Sequence, residues 1–525
     1  MSTNVLEQEV TFEGSGVFDP AGLARLPKVA RVREVAPEDL DALYYDTADL
    51  SLLAHGCTLR RRSGGHDAGW HLKLPAEGSG RREFHAPLRA GKRGKVPGEL
   101  NRRIKAYARG RDLLPVARLR TRRRRHLLLD KRDRPLAEIA QDQVDAQLLG
   151  VERLGAAPGT DAAAKGTSTR LLRWSEIEIE LERGDPGLLR AATRWMTDAG
   201  HHLARPASKL DHALTAGLGS AAMPGRPAAL PRAGTAGEAV MRRLGEQVDL
   251  LLSLDGAVRA DEPDAVHRMR STSRRLRNLL RGNGRVLDRE RTDPVAAELR
   301  RLTRVLGGSR DHEVLAGRLA AQARTLDPPA RAGLAARVRG QEKALHLQAH
   351  RRAVTALDRP RHRALLDALD ALRTDPPLRA ATADLPAVRQ LGRAAARDQK
   401  RTAARMKRAM KAAPGRERDE ALHSARKAVR RARHTAETAL PYGGRTAERL
   451  RKRTKAVQQA LGDHQDAVMA RAALPKLAAV AAADGVDTFD YGRLYALQDT
   501  AAATALRDLP AAWRKSRAPK LTAFG

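Results

Sequence analysis

The residue period changes once along this chain, and few folds accommodate both halves of the change. Up to about residue 212, charged and apolar side chains alternate singly. Glu176, Glu178, Glu180 and Glu182 alternate with Ile177, Ile179 and Leu181; Arg118, Arg120 and Arg122 alternate with Ala117, Leu119 and Thr121; His71 and Lys73 alternate with Leu72 and Leu74. Successive side chains of a strand point to opposite faces, so each set occupies one face of a sheet. Turn-forming stretches such as "SGGHDAG" and "AEGSG" separate the runs, which predicts an antiparallel sheet closed into a barrel. The Gly-, Pro- and Ala-rich "AGLGSAAMPGRPAALPRAGTAG" follows, without periodicity, and reads as a linker. Beyond it Ala, Leu and Arg recur at helical spacing with prolines between segments, as in "LDPPAR". The expected organisation is a strand domain over 4–212, a linker over 213–236 and an all-α domain over 237–515: an α+β multidomain chain.

The helical half carries a duplication. "VHRMRSTSRRLRNLLR" (266–281) and "LHSARKAVRRARHTAE" (422–437) align His267 with His423, Arg270 with Arg426, Arg274 with Arg430 and Arg277 with Arg433, each 156 positions apart. "LGGSRD" (306–311) and "LGDHQD" (461–466) extend the match. Two copies of one unit predict a bundle with pseudo-two-fold symmetry. Gly307 and Gly462 read as helix C-terminal residues, with Asp311 and Asp466 capping or bracing the next helix. On a helix, His267, Arg270, Arg274, Arg277 and Arg281 share an arc of roughly 80°. Solvated helix faces normally mix signs. A row of one sign, written twice, points instead to an anion, and guanidinium forks fit phosphate oxygens.

Net charge agrees. The chain carries +36, of which residues 231–525 contribute +27 (60 basic, 33 acidic), so anionic partners are expected. A single cysteine excludes an intrachain disulfide and a multi-cysteine zinc site. It fits a reducing cytoplasm. The N-terminus lacks a signal-peptide pattern and no apolar run is long enough to span a bilayer, so neither secretion nor a membrane partner is expected.

In the strand half, two carboxylates ~5 Å apart repel by about 3 kcal/mol at an effective dielectric of ~20. Glu7 with Glu9, and Glu178 with Glu180, would share an enclosed face only with cations between them. Arg60, Arg62, Lys73, Arg120 and Arg122 supply positive charge, and oxygen ligands suit Mg2+ or Mn2+. An outward, solvated placement of the same residues satisfies the alternation equally well.

The segments "EQE", "YYDTADLSLLAHGCTLRRRSGG", "GWHLKLP", "LAEIAQDQV", "EIEIELERG" and "ASKL" resemble, in order, the CYTH domain of triphosphate tunnel metalloenzymes. That resemblance implies an eight-stranded antiparallel tunnel, a divalent metal and hydrolysis of tripolyphosphate or a related triphosphate. It implies Glu7, Glu9, Glu178 and Glu180 as catalytic metal ligands. Arg60, Arg62, Lys73, Arg120, Arg122 and Lys209 would contact the triphosphate, with Glu138 and Asp142 as further acidic tunnel residues. Thr11 stands where that family's Glu-x-Glu-x-Lys signature has lysine. The helical half, about residues 235–515, resembles the CHAD domain, a conserved-histidine helical family that binds inorganic polyphosphate. This implies phosphate contacts at His267, Arg270, Arg274, Arg277, His423, Arg426, Arg430 and Arg433, and some members of that family reside on polyphosphate granules. The expected function is therefore metal-dependent triphosphate hydrolysis joined to polyphosphate binding. A non-catalytic sensor or adaptor is the alternative, with Thr11 as its mark. Nucleic-acid binding is a third class: the charge would attract DNA at low salt, but aromatics at 3% leave few stacking platforms.

Overall fold

The computed structural model describes residues 3–14, 20–75, 81–91, 95–150, 170–204, 208–219, 223, 227–326, 328–518 and 521–524; side chains of residues 1–7, 21, 308–314, 316, 328–332, 341 and 342 lie outside this description. It divides into two compact units, residues 1–226 with 255–260, and residues 227–254 with 261–525.

The first unit is built on nine antiparallel strand segments: β1 (Thr3–Glu7), β2 (Glu9–Glu13), β3 (Arg31–Asp46), β4 (Thr58–Ser63), β5 (Gly69–Pro75), β6 (Arg81–Ala86), β7 (Leu114–Leu129), β8 (Pro135–Leu148) and β9 (Arg170–Leu181). They are ordered β1-β6-β5-β4-β3-β7-β8-β9-β2. Because β1 and β2 flank Gln8, they are the two halves of one N-terminal strand. One half pairs with β6 (Glu7 opposite Arg81) and the other with β9 (Glu9 opposite Glu180). A single strand thus joins both edges of the sheet, giving the expected eight-stranded antiparallel arrangement without free edges.

The unit also holds helices α1 (Ser51–Ala54), α2 (Gly98–Ala108), α3 (Pro186–Asp198) and α4 (Lys209–Leu218). Helix α3 starts where Asp185 accepts from the Gly187 and Leu188 amides, with Pro186 at its first position. It covers the outer face, where Leu128, Ile139, Ile177 and Ile179 pack with Leu188, Ala192 and Met196. Helix α4 closes one end of the inner face, where Leu119, Val144, Ala146 and Leu148 meet Leu210, Ala213 and Leu214. Residues 213–218, read from sequence as linker, are the last turns of α4, and Leu214 is fully buried.

The second unit is helical: α5 (Ala236–Arg259, of which residues from Asp255 onward fall in the first unit), α6 (Ala265–Gly282), α7 (Arg289–Val305), α8 (Gly307–Ala323), α9 (Pro328–Asp358), α10 (Pro360–Thr374), α11 (Ala380–Ala383), α12 (Ala387–Lys411), α13 (Arg416–Ala483), α14 (Phe489–Arg507) and α15 (Leu509–Ser516). Helix α13 breaks at Gly444, whose φ of 47° with ψ of −136° is open to glycine and costly for other residues. The duplicated segments lie on α6 and on the first part of α13. Asn278 and His434, again 156 positions apart, are hydrogen-bonded at 2.9 Å. Contact between equivalent positions is what an axis between two copies produces. The glycine reading needs correction: Gly307 opens α8, and Gly462 lies inside α13. The turn that ends the helix in the first copy is straightened into continuous helix in the second. The side chain of Asp311 lies outside the described residues.

Candidate functional site

Strand pairing decides which charges face inward. Neighbours opposite one another share a face, so Glu9, Thr11, Glu38, Arg60, Arg62, His71, Lys73, Arg81, Glu83, Arg123, Arg125, Glu138, Asp142, Glu176, Glu178 and Glu180 lie on one face. Contacts that reach across it show that it is the enclosed one. Lys73 of β5 reaches Glu9 of β2 at 3.3 Å, and Arg81 of β6 reaches the same carboxylate at 3.5 Å. Arg123 binds Asp142 at 2.7 Å and Glu178 at 2.6 Å. Arg125 binds Glu38 at 2.9 Å and Glu138 at 2.7 Å.

Ser208 caps α4 by accepting from the Asp211 amide, which fixes Lys209 as the first helical residue. Its ammonium enters the site 2.9 Å from Asp142, 2.5 Å from Glu176 and 2.6 Å from Glu178. The sequence-based residues Glu9, Glu178, Glu180, Arg60, Arg62, Lys73, Glu138, Asp142 and Lys209 are therefore gathered on one face. The backbone of Glu7 is opposite Arg81, and its side chain lies outside the described residues.

Arg120 and Arg122 are corrected. They occupy the opposite face, 68% and 72% exposed, near Asp41 and Asp39. The inward arginines of β7 are Arg123 and Arg125, each about one-eighth exposed. Replacing Arg123 by alanine is expected to cost the first unit roughly 3 kcal/mol of stability, since removing one partner of a buried ion pair costs about 3–5 kcal/mol, with Lys209 still offsetting part of the charge on Asp142 and Glu178. Arg122→Ala is expected to change stability by no more than about 0.5 kcal/mol; equal losses of the two variants in urea unfolding would reverse the assignment.

The electrostatics of the face are uneven. The oxygens of Asp142, Glu176 and Glu178 lie within 4.8 Å of one another, but Lys209 already sits among them. Although burial pushes the Glu178 carboxyl up, Lys209 and Arg123 hold it well below the usual carboxylate range. Glu180 is the opposite case. Burial, opposed by Lys73 and reinforced by Glu9, Glu178 and Glu182, pushes it up to about 7. At this corner the carboxylates outnumber the positive charge of Lys73, and a divalent cation would redress the balance. The acidic group whose oxygens come within ligand distance of one another is Asp142, Glu176 and Glu178; Glu9 and Glu180 lie on the same face. Arg62, although ion-paired with Asp67, is pushed down to about 9 by burial, Arg60 and Arg123.

A pH test follows. Glu180 is raised in the folded state, so the metal-free protein binds more protons than the unfolded chain between about pH 4.5 and 7. Its contribution is fully present below that window and is lost as pH rises through it, by up to about 3 kcal/mol. Urea unfolding of wild type and Glu180→Gln across this range, with and without Mg2+, should show the slope in metal-free wild type alone.

In the helical unit the two basic rows meet. Helix α6 buries Val266, Met269, Leu276 and Leu279, leaving His267, Arg270, Arg274 and Arg277 half-buried beside the corresponding residues of α13. Burial, then Arg270, Arg426, Arg277 and Arg275, push Arg274 down to about 10. Burial, then Arg274, Arg426, Arg270 and Arg277, push Arg430 down to about 9. Guanidiniums from both copies therefore face one another. Arg433 departs from the row: its Nε lies 3.1 Å from Glu437. His423 is held at Gln465 by a 2.5 Å contact, and burial and Lys427 push its pKa down. Arg300 of α7 adds to the field at Arg277 and Lys427; its mixed-sign helix gave no signal in the sequence. Among the described residues, no helix is long and apolar enough to cross a membrane.

Comparison with known proteins supplies the family. Residues 17–212 match the CYTH domain and residues 242–475 the CHAD domain. Two uncharacterized proteins of Mycobacterium tuberculosis, one from each of two strains, are each 37% identical over 493 residues, 93% of this chain and 91% of theirs. Among solved structures, PptA from Streptomyces chartreusis is similar at 21% identity over 53% of this chain and 99% of its own, with a TM-score of 0.45. The CHAD domain from the plant Ricinus communis is similar at 23% identity over 56% of this chain and 96% of its own, with a TM-score of 0.44.

Proposed function

The chain belongs to the family of proteins that join a CYTH domain to a CHAD domain, and from that premise we propose that its barrel hydrolyses tripolyphosphate or a related triphosphate while its helical unit binds inorganic polyphosphate. The observation that carries this reading is the enclosed face itself, where buried acids and bases from most strands are held in mutual contact.

Substrate would enter by exchange of ion pairs. Arg62, Lys73, Arg123 and Lys209 would turn from carboxylates, and Arg60 from the Tyr44 hydroxyl, to phosphoryl oxygens, the guanidiniums doing so as planar forks. The carboxylates released in this way, with Glu9 and Glu180, would hold Mg2+ or Mn2+. That ion supplies Lewis-acid polarisation of the terminal phosphoryl group. The protein's own part is to fix the chain of phosphates, to hold its negative charge at several points and to keep bulk water from the buried wall.

Thr11 favours a second reading, in which the barrel binds triphosphate without turnover. It lies opposite Glu178 in the strand pairing and brings no charge where the family signature has lysine. Phosphate release from tripolyphosphate, long polyphosphate, ATP and thiamine triphosphate, each with and without Mg2+, separates the two readings. Turnover of a triphosphate that is lost in Glu178→Ala/Glu180→Ala supports hydrolysis. Binding with no release in any arm supports the sensor. Competition for the helical unit between polyphosphate and duplex DNA at ~150 mM salt, where weak phosphate contacts are mostly lost, tests its specificity. Equal competition per charge would leave a merely basic surface, and would also remove the case for residence on polyphosphate granules.

A further inference from the structure

Helix α13 folds back on itself across its break at Gly444. His423 meets Gln465 at 2.5 Å and Asp419 meets Arg471 at 2.9 Å, so its two parts run antiparallel. Between them and α14 lies an open trough of about 760 Å3, within the size range of small-molecule sites. One wall carries His423 and Lys427, the other Val468, Ala472 and Pro475, and Tyr495 of α14 completes the lining. Arg471 fixes the shape, since it also binds Asp499, one turn beyond Tyr495, at 2.6 Å.

The two ends differ in chemistry. The antiparallel pairing sets Lys427 at one end, and Ala472, Pro475 and Tyr495 at the other. Burial, then Arg430, Arg277 and Arg300, push the pKa of Lys427 down, and no carboxylate opposes them. This end adjoins the paired basic rows and attracts anions. At the other end Tyr495 stays 39% exposed beside apolar side chains, which suits a planar group. The acids of the lining, Asp419 and Glu420, are matched by Arg471 and Arg416. Asp419 and Lys427 are eight residues apart, roughly 12 Å along the helix. That is the order of reach from the base of a nucleoside triphosphate to its terminal phosphate.

We propose that this trough binds a nucleoside triphosphate, with the base against Tyr495, Ala472 and Pro475 and the phosphates at Lys427, entering the basic row. Inorganic polyphosphate has no group for the apolar end and uses the row alone. The site rests on the reading of the row as a phosphate surface and is independent of hydrolysis in the barrel.

Isothermal titration of the full chain in EDTA with ATP, tripolyphosphate and long-chain polyphosphate tests the site. Wild type is compared with Tyr495→Ala, Tyr495→Trp and Lys427→Ala, all at exposed positions. ATP is expected to bind wild type roughly tenfold tighter than tripolyphosphate, a preference lost in Tyr495→Ala and kept in Tyr495→Trp, as stacking requires. Lys427→Ala should weaken ATP binding, and polyphosphate should not respond to Tyr495. Photolabelling with an azidoadenosine triphosphate, read by peptide mass spectrometry, should place the base on the segment that contains Tyr495. Label confined to the strand unit, or equal affinity for ATP and tripolyphosphate while polyphosphate binds, would overturn the trough site and leave the row's reading intact. Failure of both ATP and polyphosphate to bind would overturn both.

Discussion

Replacing Arg274 and Arg430 together by alanine is expected to weaken polyphosphate binding by roughly 100-fold to 10,000-fold, while the protein becomes no less stable. The two effects have one cause. Each guanidinium is worth about 1.5–3 kcal/mol to an ionised partner, so two account for roughly 3–6 kcal/mol of affinity. Without the polyanion they repel each other and their neighbours, which is why both are pushed down from the usual arginine range. Guanidiniums keep their proton in proteins, so the repulsion appears as stability forgone and removing them returns it. Residues held for ligand commonly show this trade. Isothermal titration with long-chain polyphosphate and thermal unfolding of the same samples measure both quantities. Parallel loss of affinity and of stability would mean that these arginines are structural.

Lys209→Met is the second large effect, with the opposite sign for stability. Its ammonium is the shared counter-charge of Asp142, Glu176 and Glu178. A methionine of similar length leaves Asp142 and Glu178 with Arg123, and Glu176 with the Trp174 indole N–H it accepts from, and removing one partner of a buried pair costs about 3–5 kcal/mol. Triphosphate turnover should be lost as well. Millimolar Mg2+ should return part of the stability of this variant, because the vacated oxygens already lie within 4.8 Å of one another. Lower pH should return part too, since protonation removes the repulsion. Thermal unfolding at pH 5 and pH 8, with and without MgCl2, gives the four values needed. A variant that unfolds like wild type in all of them would show that Lys209 is dispensable to the acids around it.

Much of this arrangement was legible in the sequence, and the failures have particular causes. The change of period located the two architectures, and the 156-residue offset located the paired rows, because both depend only on spacing. Arg120 and Arg122 were misplaced for a reason visible along β7. From Ala117 to Thr121 its inner face is apolar, against α4, and its outer face carries Arg118 and Arg120. From Arg123 onward the inner face is charged, while Leu128 on the outer face packs under α3. The two faces exchange character in the middle of "TRRRRH", so alternation gives the period without saying which set is enclosed. Lys209 was found only through the family resemblance, since its role depends on a helix that returns to the barrel from elsewhere in the chain. The Glu437 partner of Arg433 was legible in principle, being four positions further along the same helix.

The strand that joins both edges of the barrel has a consequence for how the protein is made. Glu9 leaves the ribosome about 170 residues ahead of its partner Glu180. Contacts so distant in the chain are slow to form, so the N-terminal segment must wait, unpaired, through most of the synthesis of its own domain. The barrel is completed by its oldest strand, and truncating the first dozen residues should leave a sheet with two open edges that associates with other copies.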